Sequence, residues 1–422
     1  MNKQVEVSTE IGKLKRVIIH RPDEGISRIS PKRSAELLFD DIVHLPLMQY
    51  EHDIFKNVLT AFLGVEHVLE VEDLLLTALS KNEDEKNKLI EWVVQHEELP
   101  TSTMSMLKKL PDSILKEVLI TGYYEEEDFI LFDPVPNFIF TRDIAVTINN
   151  HVLITKAAKE ARHRENYLSR FIFGVHPFFE NLRSQDKIVN LNILDNFPPS
   201  RNGEPVHIEG GDVMMIHPEF LLIGCSERTN AFSIDSLKKV LFEKKIVKHV
   251  VKVNIPKDRS FMHIDTLFTQ INLHHVLAYK PLVSEGSGIS VTVYSNEGEI
   301  REYYSLVSFW KSEIDPNVEF IYAGEGITPF QEREQWTDGC NLVALKPGVA
   351  LAYDRNPKTE KALVKNGYTI MSANQLVTDI EKGLIKIDQI ENTIITLPSS
   401  ELSRARGGTH CMTCPIHREN IN

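Results

Sequence analysis

The sequence has few cysteines and no long hydrophobic run. Only Cys225, Cys340, Cys411 and Cys414 occur in 422 residues, too few for a protein held together by disulfides. No stretch approaches the roughly 18 uncharged apolar residues of a membrane-spanning helix. The first thirteen residues mix charges where a secretory signal would be apolar. We therefore expect a cytoplasmic protein in a reducing compartment, without a membrane partner.

The chain also lacks an excess of basic charge. It has 47 Lys and Arg against 60 Asp and Glu, a net charge of −13, which argues against a nucleic-acid partner. No P-loop or glycine-rich dinucleotide motif follows a predicted strand, so we expect no organic cofactor. The 42% hydrophobic and 25% charged content is typical of a folded globular protein. A folded enzyme is therefore the leading class.

A short unit recurs along the chain, two apolar runs joined by a tight turn and usually followed by a helical segment. In the first copy, residues 144–148 pair with 152–155 across Asn149-Asn150, and a helical pattern follows at about 156–171. The other predicted hairpins join 213–216 with 220–223, 267–271 with 276–279, and 342–345 with 349–352. Segments near 15–20 and 394–396 could close a ring. Such repetition predicts a radial or stacked architecture.

The segment from about residue 70 to 130 follows a different pattern. It has helical spacings such as those of Leu89, Val93 and Leu119, and Pro111-Asp112-Ser113 looks like a capped helix start. We predict an inserted α-helical subdomain at 70–130, between the two parts, 1–69 and 131–422, of one catalytic domain. Helices that merely pack on the main body are the alternative.

Acidic residues recur just before the first strand of the predicted hairpins. In a ring of similar units these strand ends would converge on one place, and a buried carboxylate cluster needs a cation. A divalent metal is one candidate, because His263 and Asp265 would share a strand face. Neither a metalloprotease helix motif nor a paired C-x-x-C is present, so we predict no metal and favour a cationic substrate. The acidic residues are Asp143, Glu209, Asp212, Asp265 and Asp338, and His207 is a further candidate metal ligand.

A C-x-x-C motif lies near the C-terminus, at Cys411 and Cys414. It could be a redox pair, half of a zinc site, or a nucleophile beside a second cysteine. The glycine pair Gly407-Gly408 allows close approach of the backbone to a ligand, and the charges of Arg406 and His410 would favour a thiolate. The nucleophile is thus supported by its neighbours, and a buried structural cysteine is the alternative.

Four motifs in this order carry a family resemblance: Phe140-Thr-Arg-Asp, Ile208-Glu-Gly-Gly-Asp, Met262-His-Ile-Asp-Thr, and Arg406-Gly-Gly-Thr-His-Cys-Met-Thr-Cys-Pro. With them the chain resembles the arginine deiminases, of the guanidino-group-modifying superfamily, over nearly its whole length. The resemblance implies an α/β pentein fold, a five-bladed α/β propeller of repeated ββαβ units, with an inserted helical subdomain.

The resemblance also implies a reaction, the hydrolysis of L-arginine to L-citrulline and ammonia through an S-alkylthiouronium intermediate. Cys411 matches the nucleophile, and a thiolate is needed because the guanidinium carbon is a poor electrophile. Asp143 and Asp265 match the carboxylates that bind the guanidinium. His263 matches the general acid and base, and Glu209 the carboxylate that holds the histidine and the substrate.

A second set of positions matches the part of the family site that binds the amino-acid end of the substrate. Arg162, Arg228 and Arg406 correspond to the arginines on the carboxylate, although Arg164 is an alternative to Arg162. Asn137, Phe140 and Leu38 correspond to residues that line the pocket.

Three other functions share these features: an amidinotransferase, an agmatine deiminase, and an arginine-binding protein without activity. The arginines at 162, 228 and 406 count against agmatine, which has no carboxylate. From the family we also expect a homo-oligomer, a dimer or a tetramer.

Overall fold

The computed structural model describes residues 4–39, 41–284, 286 and 288–421. Within them, five sheets share one unit, an antiparallel strand pair whose second strand has a parallel neighbour. Written across each sheet, the units are Cys414–Arg418, Leu14–Ile19 and Val68–Glu70; Ala145–Ile148, His151–Ile154 and Ile188–Asn190; Val213–His217, Phe220–Cys225 and His249–Asn254; Phe268–Gln270, His275–Ala278 and Glu319–Tyr322; and Val343–Lys346, Val349–Tyr353 and Thr393–Leu397.

Further strands extend two of these sheets, and one short hairpin stands apart. They are Ser290–Ser295 beside His249–Asn254, Ile300–Tyr303 beside Ser290–Ser295, Thr369–Ser372 beside Thr393–Leu397, and the hairpin of Tyr123–Tyr124 with Phe129–Ile130.

The four predicted hairpins are present, and the first shows why its sequence turns there. Ile148 pairs with His151, which leaves a two-residue connection at Asn149-Asn150. Asn149 has φ of 49°, a conformation that asparagine tolerates and that tight hairpin turns require. The repeated unit was therefore correctly predicted from local patterns.

The prediction of the closing strand was wrong. Leu14–Ile19 pairs with Cys414–Arg418 and not with a strand near residue 394. Thr393–Leu397 is the parallel third strand of its own sheet, beside Val349–Tyr353. Thr393–Leu397 has the more apolar, strand-like sequence, whereas Cys414–Arg418 contains a proline, a histidine and an arginine, so the sequence pattern favoured the wrong segment. Pairing of Leu14–Ile19 with Cys414–Arg418 completes the fifth unit and places Cys411 just before an edge strand of that sheet.

The helices lie between the strands and around them. None in the described part of the chain is long and apolar enough to cross a membrane. They are Leu45–Leu63, Val71–Leu79, Glu83–His96, Thr101–Leu107, Asp112–Thr121, His163–Val175, Glu180–Ser184, Ala231–Glu243, Lys280–Val283, Leu306–Glu313, Phe330–Trp336, Pro357–Lys365 and Ala373–Glu381.

The four helices between residues 71 and 121 share a core with the rest of the chain. Leu89 and Leu119 are fully buried in one cluster with Leu168 and with Ile154 of a sheet. The division at 70 and 130 stays a prediction, and residues 1–3 and 40 of its first part lie outside the described residues. The predicted cap is absent, because Asp112 accepts a hydrogen bond from Lys86 at 2.9 Å and caps no backbone N–H.

The helix predicted at about 156–171 begins later, at His163, and ends at Val175. The residues before it are held in an extended path. Lys156 exchanges backbone hydrogen bonds with Ile208 at 3.1 and 3.0 Å, and Ala158 N donates to Glu209 Oε1 at 3.0 Å. Tertiary bonds outweigh helical propensity here, and they fix the segment that carries Arg162 beside Glu209.

Short 3₁₀ turns precede the first strands of three sheets and meet one another. They are Thr141–Asp143, Gly210–Asp212 and Ile264–Thr266. Gly211 N donates to Asp143 Oδ1 at 2.9 Å, and Ile264 N donates to Asp212 Oδ1 at 2.9 Å. The acidic residues therefore converge as predicted. The predicted strand alternation at His263 and Asp265 is wrong, because a 3₁₀ turn intervenes.

Candidate active site

Cys411 is buried, 8% exposed, and Asn341 holds it at two points. The Cys411 amide donates to Asn341 Oδ1 at 3.1 Å, and Asn341 Nδ2 donates to the sulfur at 3.2 Å. The sulfur also lies 3.4 Å from Asp265 Oδ2. The thiol thus has a fixed position between an amide and a carboxylate.

Negative charge surrounds this thiol. Burial raises the pKa of Cys411 well above its usual value, and the carboxylates of Asp265, Asp143 and Asp338 raise it further. The sequence predicted that the charges of Arg406 and His410 would favour the thiolate. This effect is not found, because His410 bonds Asp265 and Arg406 stacks on a tryptophan. The thiol therefore keeps its proton at neutral pH.

His263 and Glu209 form a buried pair, with His263 Nε2 2.9 Å from Glu209 Oε2. Burial lowers the pKa of His263, but Asp143, the bond to Glu209, and Asp212 outweigh it and raise that pKa to about 10. Burial alone would raise the pKa of Glu209, yet His263 and nearby arginines lower it. The imidazole is accordingly protonated at neutral pH.

Asp143 is bound to Arg162, whose Nη1 lies 2.6 Å from Asp143 Oδ2. The same guanidinium donates to Glu165 Oε2 at 2.9 and 2.8 Å and lies 3.5 Å from Glu209. Burial lowers the pKa of Arg162, but these carboxylates outweigh it and raise the pKa well above its usual value. Arg164 lies elsewhere, 2.5 Å from Glu97 Oε1. Arg162 is therefore the one of the two that belongs to this site.

A cavity of about 40 Å³ opens over these groups. Asp265 and Glu209 are fully buried and do not line the cavity, so they lie behind the residues that do. Every predicted substrate-binding residue lines it: Leu38, Asn137, Phe140, Arg162, Arg228 and Arg406, together with Asp143, His263 and Cys411.

Two of the lining arginines keep unpaired donors. Arg228 Nη1 lies 3.6 Å from Glu209 Oε1, and its buried Nε has no hydrogen-bond partner among the described residues. Arg406 lies 3.3 Å over the Trp336 ring, and its buried Nη1 is likewise without a partner in that set. Free N–H donors on a cavity wall can meet an anionic group of a ligand.

Sequence reasoning gave no role to Asn341 and did not place Asp338 at the thiol. Asp338 lines the cavity in a left-handed conformation, φ 60°, and burial raises its pKa to about 7. Both residues stand just before strand Val343–Lys346, the position that identified the other acidic residues. This position just before a strand is the sequence feature that could have identified Asn341. Met262, Thr266, Ala405 and Gly407 also line the cavity.

The residues that could hold a metal ion are Asp143, Glu209 and His263, whose ligand atoms lie within 4.8 Å of one another. His207 is turned away and bonds the Arg228 carbonyl at 2.7 Å. Arg162 already supplies positive charge to both carboxylates. The absence of a metal stays a prediction.

Comparison with known proteins places the chain in a family. The family model for arginine deiminase matches residues 35–418. The chain belongs to the arginine deiminase family. An arginine deiminase of Limosilactobacillus reuteri is 33% identical, and the alignment covers 100% of each protein. One of Listeria monocytogenes is 31% identical, with coverage of 100% of this chain and 99% of that protein.

Solved structures agree on the fold of this deiminase-family chain. The amidinotransferase SxtG of Microseira wollei has a TM-score of 0.54 at 13% identity, covering 99% of this chain and 98% of that one. The N-terminal domain of ArgZ, a cyanobacterial arginine dihydrolase, has a TM-score of 0.50 at 13% identity, with coverage of 96% and 97%. These likenesses support the predicted pentein fold.

Proposed function

We propose that this protein hydrolyses L-arginine to L-citrulline and ammonia, with Cys411 as the nucleophile. The observation that carries the proposal is the buried thiol, which shares one small cavity with Asp143 and with His263, whose ring is bonded to the buried Glu209. Membership of the arginine deiminase family supports the choice of substrate.

Binding of the guanidinium prepares the nucleophile. The planar cation meets Asp143, and it meets Asp265 through the buried Oδ1, which has no hydrogen-bond partner among the described residues. Its charge offsets the carboxylates that hold the pKa of Cys411 high, so the thiol loses its proton to water when substrate is bound. The site is thereby activated by its own substrate.

The chemistry then runs in two halves. The sulfur attacks the guanidinium carbon, a C–S bond forms, and protonated His263 donates its proton to the departing nitrogen, which leaves as ammonia. Neutral His263 next takes a proton from water, whose oxygen bonds the same carbon. The C–S bond breaks, citrulline leaves, and the thiolate is regenerated.

The amino-acid end of the substrate binds at the mouth of the cavity. Arg228 and Arg406 present unpaired N–H donors for the carboxylate. Arg162, a third predicted donor, serves mainly to hold Asp143 and Glu209 in this geometry. Asn137, Phe140 and Leu38 shape the remaining wall.

Trapping of the intermediate tests this proposal. Acid quenching during turnover, followed by peptide mass spectrometry, should find the substrate-derived adduct on Cys411. Turnover of arginine with no adduct there, or an adduct on Cys225, Cys340 or Cys414, would overturn the assignment.

Parallel reactions separate the alternatives. Agmatine tests the need for the carboxylate, and added amines test for amidinotransfer. An amidino group passed to an amine in place of water would identify a transferase. Binding of arginine with no product would identify a binding protein.

We further infer a cytoplasmic homo-oligomer, a dimer or a tetramer, that binds no nucleic acid. The family resemblance supports the oligomer, and the net charge of −13 supports the absence of nucleic acid. Light scattering of the purified protein measures the oligomeric state.

A further inference from the structure

A buried polar chain runs behind the cavity and ends at Asp265. Its members are Arg142, Glu10 and His410, at most 4% exposed, and none of them lines the cavity. The mechanism above assigns these residues no role. Burial of charged groups costs free energy unless the groups are paired, so their presence next to Cys411 needs an explanation.

His410 sits between two carboxylates. Its Nδ1 lies 2.9 Å from Asp265 Oδ2, and its Nε2 lies 3.2 Å from Glu10 Oε2. Glu10 is in turn held by Arg142, whose Nη2 donates to Oε1 at 2.6 Å. Both ring nitrogens face an oxygen, so the imidazole cannot turn without losing a bond. Arg142 and Glu10 thus fix the plane of the ring.

The imidazole ring of His410 in turn fixes the orientation of the Asp265 carboxylate. Oδ2 is bonded to His410 and lies 3.4 Å from the Cys411 sulfur, whereas buried Oδ1 has no partner among the described residues. Burial raises the pKa of Asp265, but the bond and charge of His410 outweigh it and lower that pKa. One oxygen is therefore kept at the thiol while the other stays free.

We propose that His410 is a positioning residue for the nucleophilic step, because its Nδ1 fixes the Asp265 carboxylate with one oxygen beside Cys411 and the other open to the guanidinium. The proposal rests on the proposed function. The charged groups around the ring are Asp265 and Glu10 in direct contact, Arg142 and Arg418 near Glu10, and His263 near Asp265.

Two substitutions separate the roles of the two ring nitrogens. The amide nitrogen of asparagine takes the place of Nδ1, so His410→Asn keeps a donor for Asp265 and loses Glu10. The longer side chain of glutamine reaches the place of Nε2, so His410→Gln keeps Glu10 and loses the donor for Asp265.

A matched control exists elsewhere in the chain. His20 is a buried histidine, 1% exposed, whose Nε2 lies 3.1 Å from Asp23 Oδ2, and it does not line the cavity. His20→Gln removes a comparable buried ring and should leave kcat unchanged. Melting temperatures of all variants report the structural cost separately.

The two variants are expected to differ in kcat. His410→Gln should lower kcat by about 10²-fold, the size of a misplaced catalytic group, with a smaller change in KM. His410→Asn should stay within about tenfold of the parent. Without substrate, iodoacetamide should alkylate Cys411 several-fold more slowly in His410→Gln, because an unpaired Asp265 holds the thiol proton more firmly.

Equal kcat in the two variants, or a ranking that follows their melting temperatures, would overturn the proposal. If neither variant folds, Glu10→Gln replaces them, and unchanged kcat and alkylation rate there would also overturn it. The alkylation arm needs no turnover, so an inactive parent protein would contradict the proposed function while the positioning role is still measured.

Discussion

At the residue scale, the surroundings of Cys411 keep its thiol protonated. Cys411 has carboxylates nearby, and the nearest basic groups are engaged with other partners. This arrangement could not be predicted from the C-terminal motif, because nearby residues of the motif, such as His410 and Arg406, contact partners that are distant in sequence. The choice of Cys411 as the proposed nucleophile came from four separated motifs taken together, and it stays a prediction.

Cys411→Ala should abolish citrulline formation and leave the fold intact. The change removes the nucleophile, while the amide that bonds Asn341 remains. Steady-state turnover and a thermal melt measure the two effects. Turnover at the parent rate would refute the role of Cys411, and Cys225→Ala, away from the cavity lining, serves as the control.

Asp338→Asn should stabilise the protein, but only at higher pH. The folded-state pKa of about 7 lies above the ordinary 3.8, so burial of the charged form costs stability. That cost is absent below about pH 4, grows from there to pH 7, and is complete above pH 7. Asparagine also tolerates the left-handed backbone of this position.

The gain in free energy of unfolding at pH 8 should be on the order of 1 kcal/mol or more, and near zero at pH 4. Denaturant titrations at both pH values measure it. A gain of equal size at both would show that the charge of Asp338 is not the cause.

At the scale of elements, the hairpins and several helices followed from local pattern, and the catalytic turns did not. The strand pairs around Asn149 and Pro218 lie close to their predicted positions. The 3₁₀ turn between His263 and Asp265 could not be predicted, because its bonds run to Asp212 of another unit.

Gly211→Ala should reduce kcat strongly. A Cβ there would lie 2.5 Å from His263 Nδ1, so the ring must shift from its present position, and a displacement of about 1 Å can cost about 10²-fold. The control is Gly174→Ala in helix His163–Val175, where the Cβ would meet nothing within 4 Å. The control should keep full activity and gain up to about 1 kcal/mol of stability. Full activity of Gly211→Ala would contradict the placement of His263.

At the scale of the whole molecule, the site depends on closure of the repeat by the two ends of the chain. Strand Cys414–Arg418 pairs with Leu14–Ile19, and Arg418 Nη1 donates to Gly12 and Ala344 carbonyls at 2.7 Å each. The sequence predicted closure but not the right strand, because Thr393–Leu397 is the more apolar segment, whereas Cys414–Arg418 contains a proline, a histidine and an arginine.

Truncation after residue 413 should abolish folding. It removes an entire strand and buried side chains such as Ile416, each worth a few kcal/mol at about 25 cal/mol per Å², against a typical total of about 5–15 kcal/mol. Circular dichroism and thermal melts test this. Removal of residues 421–422 is the control and should be tolerated. Cooperative unfolding of the longer truncation at the parent temperature would contradict the closure.

The most direct test of the central claim is product release from L-arginine by the purified protein, with no metal added. The account predicts citrulline and ammonia in equal amounts, unaffected by a chelator and dependent on Cys411. Binding of arginine without either product, or product formation only with an added amine or metal, would contradict it.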